Sequence, residues 1–157
     1  MKDNFTNIPL LQQREIEMKV IGPLVRAFAA EFGEEKTYEI VRRTMQDISR
    51  NLGEKTSKEC GGGLESFKNN CMPKWTEGGA LECGEIEDSA DVFSFNVTRC
   101  DFAELYKELG CGDIGALISC DRDFAFINGF DKNLELVRKK TLMAGDDCCD
   151  FCYKKKD

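Results

Sequence analysis

Histidine is absent from this sequence of 157 residues. That excludes Ser-His-Asp and Cys-His catalysis and every histidine-containing zinc site. Proton transfer, if the chain performs any, falls to Asp, Glu, Lys, Tyr or a thiol. Basic charge is also scarce: 22 Lys and Arg against 29 Asp and Glu leave a net charge of −7. A nucleic-acid partner needs the opposite footprint, so none is expected. The short run Lys154-Lys155-Lys156 stands alone and reads as a solvated tail. No apolar run approaches the roughly 18–20 residues of a membrane span. Met1-Lys2-Asp3-Asn4 leads into a mixed polar stretch without the apolar core of a signal peptide. The expectation is a cytoplasmic protein with no membrane partner. In that setting the glycosylation patterns Asn4-Phe5-Thr6 and Asn96-Val97-Thr98 carry no meaning, and the oligomeric state stays open.

What is present is enough to build a core. Hydrophobic residues make up 41% of the chain, 11 of them Phe. A single domain over 1–157 would bury roughly two-thirds of its unfolded surface without help from disulfides. The nine cysteines are odd in number and lack the export context of a disulfide framework. They therefore read as thiols: small core residues, metal ligands or nucleophiles.

Residues 1–75 read as helical. Leu11, Met18, Val25, Phe28 and Phe32 share one face, and Ile16, Val20 and Leu24 form a second row that widens the apolar surface. Gly22-Pro23 predicts a kink or a break, and Gly33 suits a C-terminal cap. A second helix carries Tyr38, Val41, Met45, Ile48 and Leu52 inward and ends at Gly53. A third carries Leu64, Phe67, Cys71 and Trp75, with Pro73 near its end. After the turn residues Thr76 to Gly79 the character changes, and residues 80–153 form a sheet-containing part. Leu81–Ile86 and Val92–Thr98 alternate as strands. Asp101–Leu109 reads as a helix closed by Gly110. Asp113 caps another that runs towards Phe126 and stops at Gly129. Leu134–Leu142 and Cys149–Tyr153 read as further strands. The sum is an α+β fold: N-terminal helices packed on a small antiparallel sheet interrupted by a helical pair.

Cys-Asp occurs three times, at Cys100-Asp101, Cys120-Asp121 and Cys149-Asp150. Asp101, followed by Glu104, suits a helix start where the carboxylate accepts backbone N–H bonds. Cys100 then precedes a helix N-terminus, whose positive end lowers a thiol pKa and favours the thiolate. Cys120-Asp121-Arg122-Asp123 repeats the arrangement if the helix restarts there. A thiolate beside a carboxylate makes a nucleophile with a proton carrier; equally, these are buried small residues beside helix caps. Cys149-Asp150-Phe151-Cys152 is one Cys-x-x-Cys with no second to complete a zinc site, and on a strand its two thiols face opposite sides. No cofactor is expected. The alternative is a thiolate-bound metal ion on Cys100, Cys120 and Cys149. Gly61-Gly62-Gly63 has no Gly-Lys-Ser/Thr after it and no strand before it, so it reads as a hinge or packing site. Cys60, Cys71, Cys83, Cys111, Cys148 and Cys152 read as core or incidental thiols.

The ordered blocks Phe95-Asn96-Val97-Thr98-Arg99-Cys100-Asp101-Phe102, Cys120-Asp121-Arg122-Asp123-Phe124-Ala125, Val137 to Asp147 and Cys149-Asp150-Phe151 resemble the L-2-amino-thiazoline-4-carboxylic acid hydrolase family. The resemblance is close over about 92–153. Where the family pattern has a basic residue after the last block, this chain carries Cys152. The resemblance implies ring opening of a cyclic isothiourea. A thiolate from Cys100, Cys120 or Cys149 would attack the carbon between sulfur and nitrogen, with Asp121 or Asp123 carrying the proton. Arg99 or Arg122 would hold the substrate carboxylate, with Asn96 and Asp150 as further substrate-binding groups. Within the same site the alternative is direct attack by water, the cysteines only shaping the pocket. Outside hydrolysis, the alternatives are a soft-ligand or metal binder and a thiol redox or ligand sensor without turnover.

Overall fold

The computed structural model describes residues 8–156, so the Asn4-Phe5-Thr6 pattern and the polar start at Met1 lie outside the described residues. Two long helices, α1 (Leu10–Phe32) and α2 (Glu34–Cys60), form a hairpin on a single residue. That residue is Gly33, at φ 88°, and its N–H donates to Ala29 O at 2.9 Å. This is the left-handed geometry that favours glycine at a helix end.

Neither expected interruption interrupts. Helix α1 runs unbroken through Gly22-Pro23. Pro23 lies on the exposed side, where water can satisfy the Lys19 carbonyl that loses its partner. Gly22 is buried instead for close approach: a Cβ there would stand 2.7 Å from Cys111 Sγ. Gly53 likewise lies inside α2 rather than at its end. A Cβ on Gly53 would meet Phe130 N at 2.8 Å, and one on Gly129 would meet the Arg50 carbonyl carbon at 2.9 Å. These two glycines let α2 and α7 (Arg122–Phe130) cross backbone against backbone. At the same crossing Ser49 Oγ donates to Arg122 O at 2.9 Å, which ties down the first turn of α7.

Short helices α3 (Leu64–Asn70) and α4 (Met72–Trp75) and a 3₁₀ turn (Glu77–Gly79) lead into β1 (Leu81–Asp88) and β2 (Val92–Cys100). Helices α5 (Asp101–Glu108) and α6 (Gly112–Gly115) follow, then a π-helical turn (Ala116–Cys120), α7, β3 (Leu134–Val137) and β4 (Cys149–Lys155). The sheet is antiparallel with order β1-β2-β4-β3. The α+β architecture expected from the pattern is therefore present. Four details differ. Asp113 caps nothing and pairs with Arg26 at 2.7 Å. The helix expected from Asp113 to Phe126 is divided by the π turn. The third strand ends at Val137, because Asp150 Oδ1 takes the N–H groups of Lys139 (2.8 Å) and Lys140 (2.6 Å) and turns the chain away. The lysines at the C-terminus extend β4, with Lys154 paired to Glu135 at 3.0 Å and Lys155 to Asp91 at 2.6 Å.

In β2, Phe93, Phe95 and Val97 are buried at alternate positions opposite Tyr153, Phe151 and Cys149 of β4. Their face packs on Leu64, Phe67, Phe126 and Phe130. A second cluster joins Met18 and Val25 of α1 to Tyr106, Ile114, Leu117, Ile118 and Met143. Cys100 and Leu142 touch both clusters, and between the two lies a cavity. The outer rows of the helical hairpin do not join either core. Ile16, Val20, Leu24, Phe28 and Phe32 remain 50–63% exposed, and Ile48 and Leu52 remain 49% and 44% exposed. No helix among the described residues is long and apolar enough to cross a membrane.

Candidate active site

The cavity has a volume of about 620 Å³ and brings together the end of β2, the π turn, the start of α7, the segment after β3 and the start of β4. Cys100, Cys120, Cys149, Arg122 and Asp123 all line it. The π turn matters here. Asp121 N donates to Ala116 O at 2.9 Å, five residues back. The extra residue re-aims the chain by about 100° relative to a continuous α-helix. Cys120, the last residue of the turn, lines the cavity together with Arg122 and Asp123 just after it, while Asp121 faces away and pairs with Arg42 at 2.9 Å.

Arg138, which the sequence patterns did not single out, organises one wall. Its Nη1 meets Asp123 Oδ2 at 2.6 Å and its Nη2 donates to Cys120 O at 2.9 Å. The guanidinium also lies over the rings of Phe151 (4.8 Å) and Phe124 (5.1 Å). Its side chain is only 3% exposed. In sequence it stands just before two lysines, and nothing local separates it from a solvated charge. Arg14 of α1, also missed, lines the cavity as well and pairs with Glu17.

Arg122 differs from both. Its guanidinium has no hydrogen bond or ion pair among the described residues, and it is half-buried against the cavity. Burial, with Arg14 nearby adding repulsion, lowers its pKa from the ordinary arginine value. A cation left alone in a partly desolvated wall is costly unless an anion joins it.

The electrostatics of the thiols oppose the sequence expectation. Cys100 does precede α5, but Asp101 pairs with Arg99 rather than capping the helix. Burial pushes the Cys100 thiol up to about 11, outweighing the backbone N–H groups of Ala103 and Phe102 that favour its anion. Cys120 is pushed up further by burial and by Asp123, with Arg138 opposing. Cys149 is raised by burial, although it accepts the Leu142 N–H at 3.2 Å and feels Arg138. None is lowered towards a standing thiolate. Asp123 keeps 27% of its side-chain surface open, and its carboxyl is raised by burial, with Arg138 pulling it back. A carboxyl poised in this way can take or give a proton.

The other residues singled out lie elsewhere. Arg99 pairs with Asp101 and Glu82 and donates to Gly79 O at 2.9 Å. Asn96 bonds Glu85, and Asp150 holds the turn at Lys139 and Lys140. Asn96 and Asp150 share a shallow surface depression apart from the cavity. Among the described residues no three Cys, Asp or Glu side chains are grouped so as to hold a metal ion.

An antiparallel sheet backed by helices, with one arginine-bearing cavity at the seam of its two cores, defines an α+β domain with an interior sized for a small molecule. The model of the L-2-amino-thiazoline-4-carboxylic acid hydrolase family matches residues 13–153, and the chain belongs to that family. Among solved structures it is similar to the crystal structure of the phenol-responsive sensory domain of the transcription activator PoxR with phenol. The TM-score is 0.52 at 11% identity, covering 86% of this chain and 72% of that one, a likeness of fold. No curated protein matches the sequence.

Proposed function

We propose that the chain is a hydrolase that opens a small cyclic amidine-type ring bearing a carboxylate, with Asp123 as proton carrier and water as nucleophile. The observation that carries this reading is the shared cavity: Asp123, raised by burial and held by Arg138, lines the same cavity as an Arg122 with no ion pair among the described residues. The substrate carboxylate pairs with Arg122. Water adds to the ring carbon between the two heteroatoms as Asp123 takes its proton. Asp123 passes that proton to the ring nitrogen. The hydroxyl of the tetrahedral centre then gives its own proton to Asp123 as the carbonyl forms, the bond to ring nitrogen or sulfur breaks, and Asp123 hands the proton to the leaving heteroatom. Arg138 keeps the carboxylate in place and limits the cost of its charged form. Cys100, Cys120 and Cys149 form a soft wall around the ring; as neutral thiols they are weak nucleophiles, which favours water over a covalent route.

The test is turnover of 2-amino-thiazoline-4-carboxylate, followed by mass spectrometry. Asp123→Asn should lose about 10²-fold or more in kcat, the usual worth of a general acid–base. Cys100→Ser, Cys120→Ser and Cys149→Ser should each stay within about tenfold of wild type. Full activity in Asp123→Asn sinks the proposal, and abolition by one cysteine variant alone moves the nucleophile to that sulfur.

A second reading is ligand binding without turnover. The raised thiols favour it, as does a fold shared with a domain described as a phenol-responsive sensor. Saturable binding of the intact ring with no product over hours would select it.

A further inference from the structure

We propose that the natural ligand of the cavity is a monocarboxylic acid with an aromatic or similarly bulky apolar body, of which any aminothiazoline-type ring is only one part. This rests on the reading of the cavity as the substrate site and narrows the class of substrate. The first observation is size. The cavity holds about 620 Å³. The acid named by the family has about nine non-hydrogen atoms, and at no more than the ~30 Å³ a water molecule takes up, it fills less than about 270 Å³. More than half of the space is left over.

The second observation is the apolar part of the lining: Trp75, Phe102, Phe126 and Phe151, with the Trp75 and Phe126 rings edge to face at 5.7 Å. Such walls reward apolar filling, at roughly fourfold in affinity for each buried CH₂. The third is charge. Arg138 is matched by Asp123 and Arg14 by Glu17, so Arg122 is the cavity arginine without a counter-ion among the described residues. Lys74 also lines the cavity but is exposed to solvent, so the half-buried wall offers one unmatched cation, Arg122, and asks for one carboxylate there.

Calorimetric titration of the full chain separates the parts. The ligands are 2-naphthoate, 2-naphthamide, 2-amino-thiazoline-4-carboxylate and its 5-phenyl derivative. Naphthoate should bind more than tenfold tighter than naphthamide, and the phenyl derivative more than tenfold tighter than the unsubstituted ring. Arg122→Gln should bring the acid-to-amide ratio to about one, while Arg122→Lys, which keeps the charge, retains a preference for the acid. Trp75→Ala should weaken naphthoate at least fivefold. Equal binding of acid and amide, or no gain from the phenyl group, overturns the inference. Naphthoate has no ring to open, so its binding stands or falls separately from turnover. A protein that binds it as expected but opens no ring would fail the hydrolase reading alone.

An independent observation concerns α1. Ile16, Val20, Leu24, Phe28 and Phe32 repeat at every fourth residue and are 61, 58, 50, 51 and 63% exposed. We infer that this stripe is the contact between two copies of the chain. Five side chains at about half of ~200 Å² each present roughly 500 Å² of apolar surface, at the upper end of what a monomer shows. Two stripes plus a polar rim reach the ~1,600 Å² of a stable interface. A row at i, i+4 makes a continuous ridge, and two such ridges interdigitate at about −50° around a twofold axis. Analytical ultracentrifugation should find a dimer at about 20 µM, with Leu24→Glu and Phe28→Glu each giving a folded monomer. Ile86→Glu, at a 63% exposed position on β1, should leave the dimer intact. A monomeric wild type, or a dimer that survives both α1 variants, overturns this assignment.

Discussion

Replacing Arg138 by Met keeps most of the stem and removes the guanidinium. Three interactions go with it: the ion pair to Asp123 at 2.6 Å, the bond to Cys120 O at 2.9 Å and the stacking on Phe151 and Phe124. Taking one partner from a buried pair leaves the other charge unmatched, which costs about 3–5 kcal/mol. The cost should depend on pH in a defined direction. Burial already holds the Asp123 carboxyl above its ordinary range, and Arg138 opposes that rise. A carboxyl raised in the folded state favours folding most when protonated, below its unfolded pKa near ~4. That contribution is lost as pH rises through the folded value. Without Arg138 the folded value moves further up, so the variant goes on losing stability over a window that extends closer to neutrality. Urea unfolding of wild type and Arg138→Met at pH 4.5, 6.0 and 7.5 gives the difference directly, with shared acid effects cancelling. The loss should be largest at pH 7.5 and fall towards the ~1–2 kcal/mol worth of the Cys120 carbonyl bond and packing at pH 4.5. In the double variant with Asp123→Asn the pH dependence of the difference should vanish. A loss constant within about 0.5 kcal/mol across the three pH values refutes the argument.

Cys100, pushed up to about 11 by burial, should be alkylated by iodoacetamide at a rate rising about tenfold per pH unit from pH 7 to 10. A plateau below pH 8 in site-resolved mass spectrometry would contradict that. Gly53→Ala, which in an open helix stabilises by about 1 kcal/mol, should instead destabilise by about 1–3 kcal/mol. The new Cβ stands 2.8 Å from Phe130 N. A rise in the urea midpoint would show that α2 and α7 are not so close. Asp150→Ala frees two backbone N–H groups and should cost about 1–3 kcal/mol. Segment 138–148 should also become the first site of tryptic cleavage, and an unchanged cleavage pattern counts against Asp150 as the anchor of that turn.

The strands were legible because β2 and β4 alternate at period two, and Phe93, Phe95 and Val97 do fill one face. The helices were legible in extent but less so in orientation. Both rows of α1 are apolar at helical spacing, and periodicity alone does not tell which row the sheet and α5–α7 cover. The core takes Met18, Gly22, Val25 and Ala29, the side with the smaller residues, because Cys111 approaches α1 at Gly22. Gly53 is ambiguous in the sequence for a related reason. A glycine that ends a helix and one that admits a crossing helix look alike until the partner, here Gly129, is known. In the candidate site, all three cysteines of the Cys-Asp pairs line the cavity. Of the three aspartates that follow those cysteines, none lines the cavity; Asp123 does. The π turn that re-aims this stretch has no sequence signature, and Arg138 comes from a segment distant in sequence.

The charges of the cavity also bear on how binding and folding are coupled. Arg138 and Asp123 satisfy each other, so folding has already met most of their desolvation cost. Arg122 has no such partner among the described residues, and its lowered pKa is the mark of a cation that the fold holds at a cost. A carboxylate bound there removes that cost in the native state and has no comparable site in the unfolded chain. Binding should therefore raise stability by RT ln(1 + [L]/Kd), about 2.7 kcal/mol at a hundredfold excess over Kd. An uncharged analogue of equal shape, which leaves Arg122 unmatched, should stabilise less at the same free concentration, because its Kd is weaker by the missing ion pair.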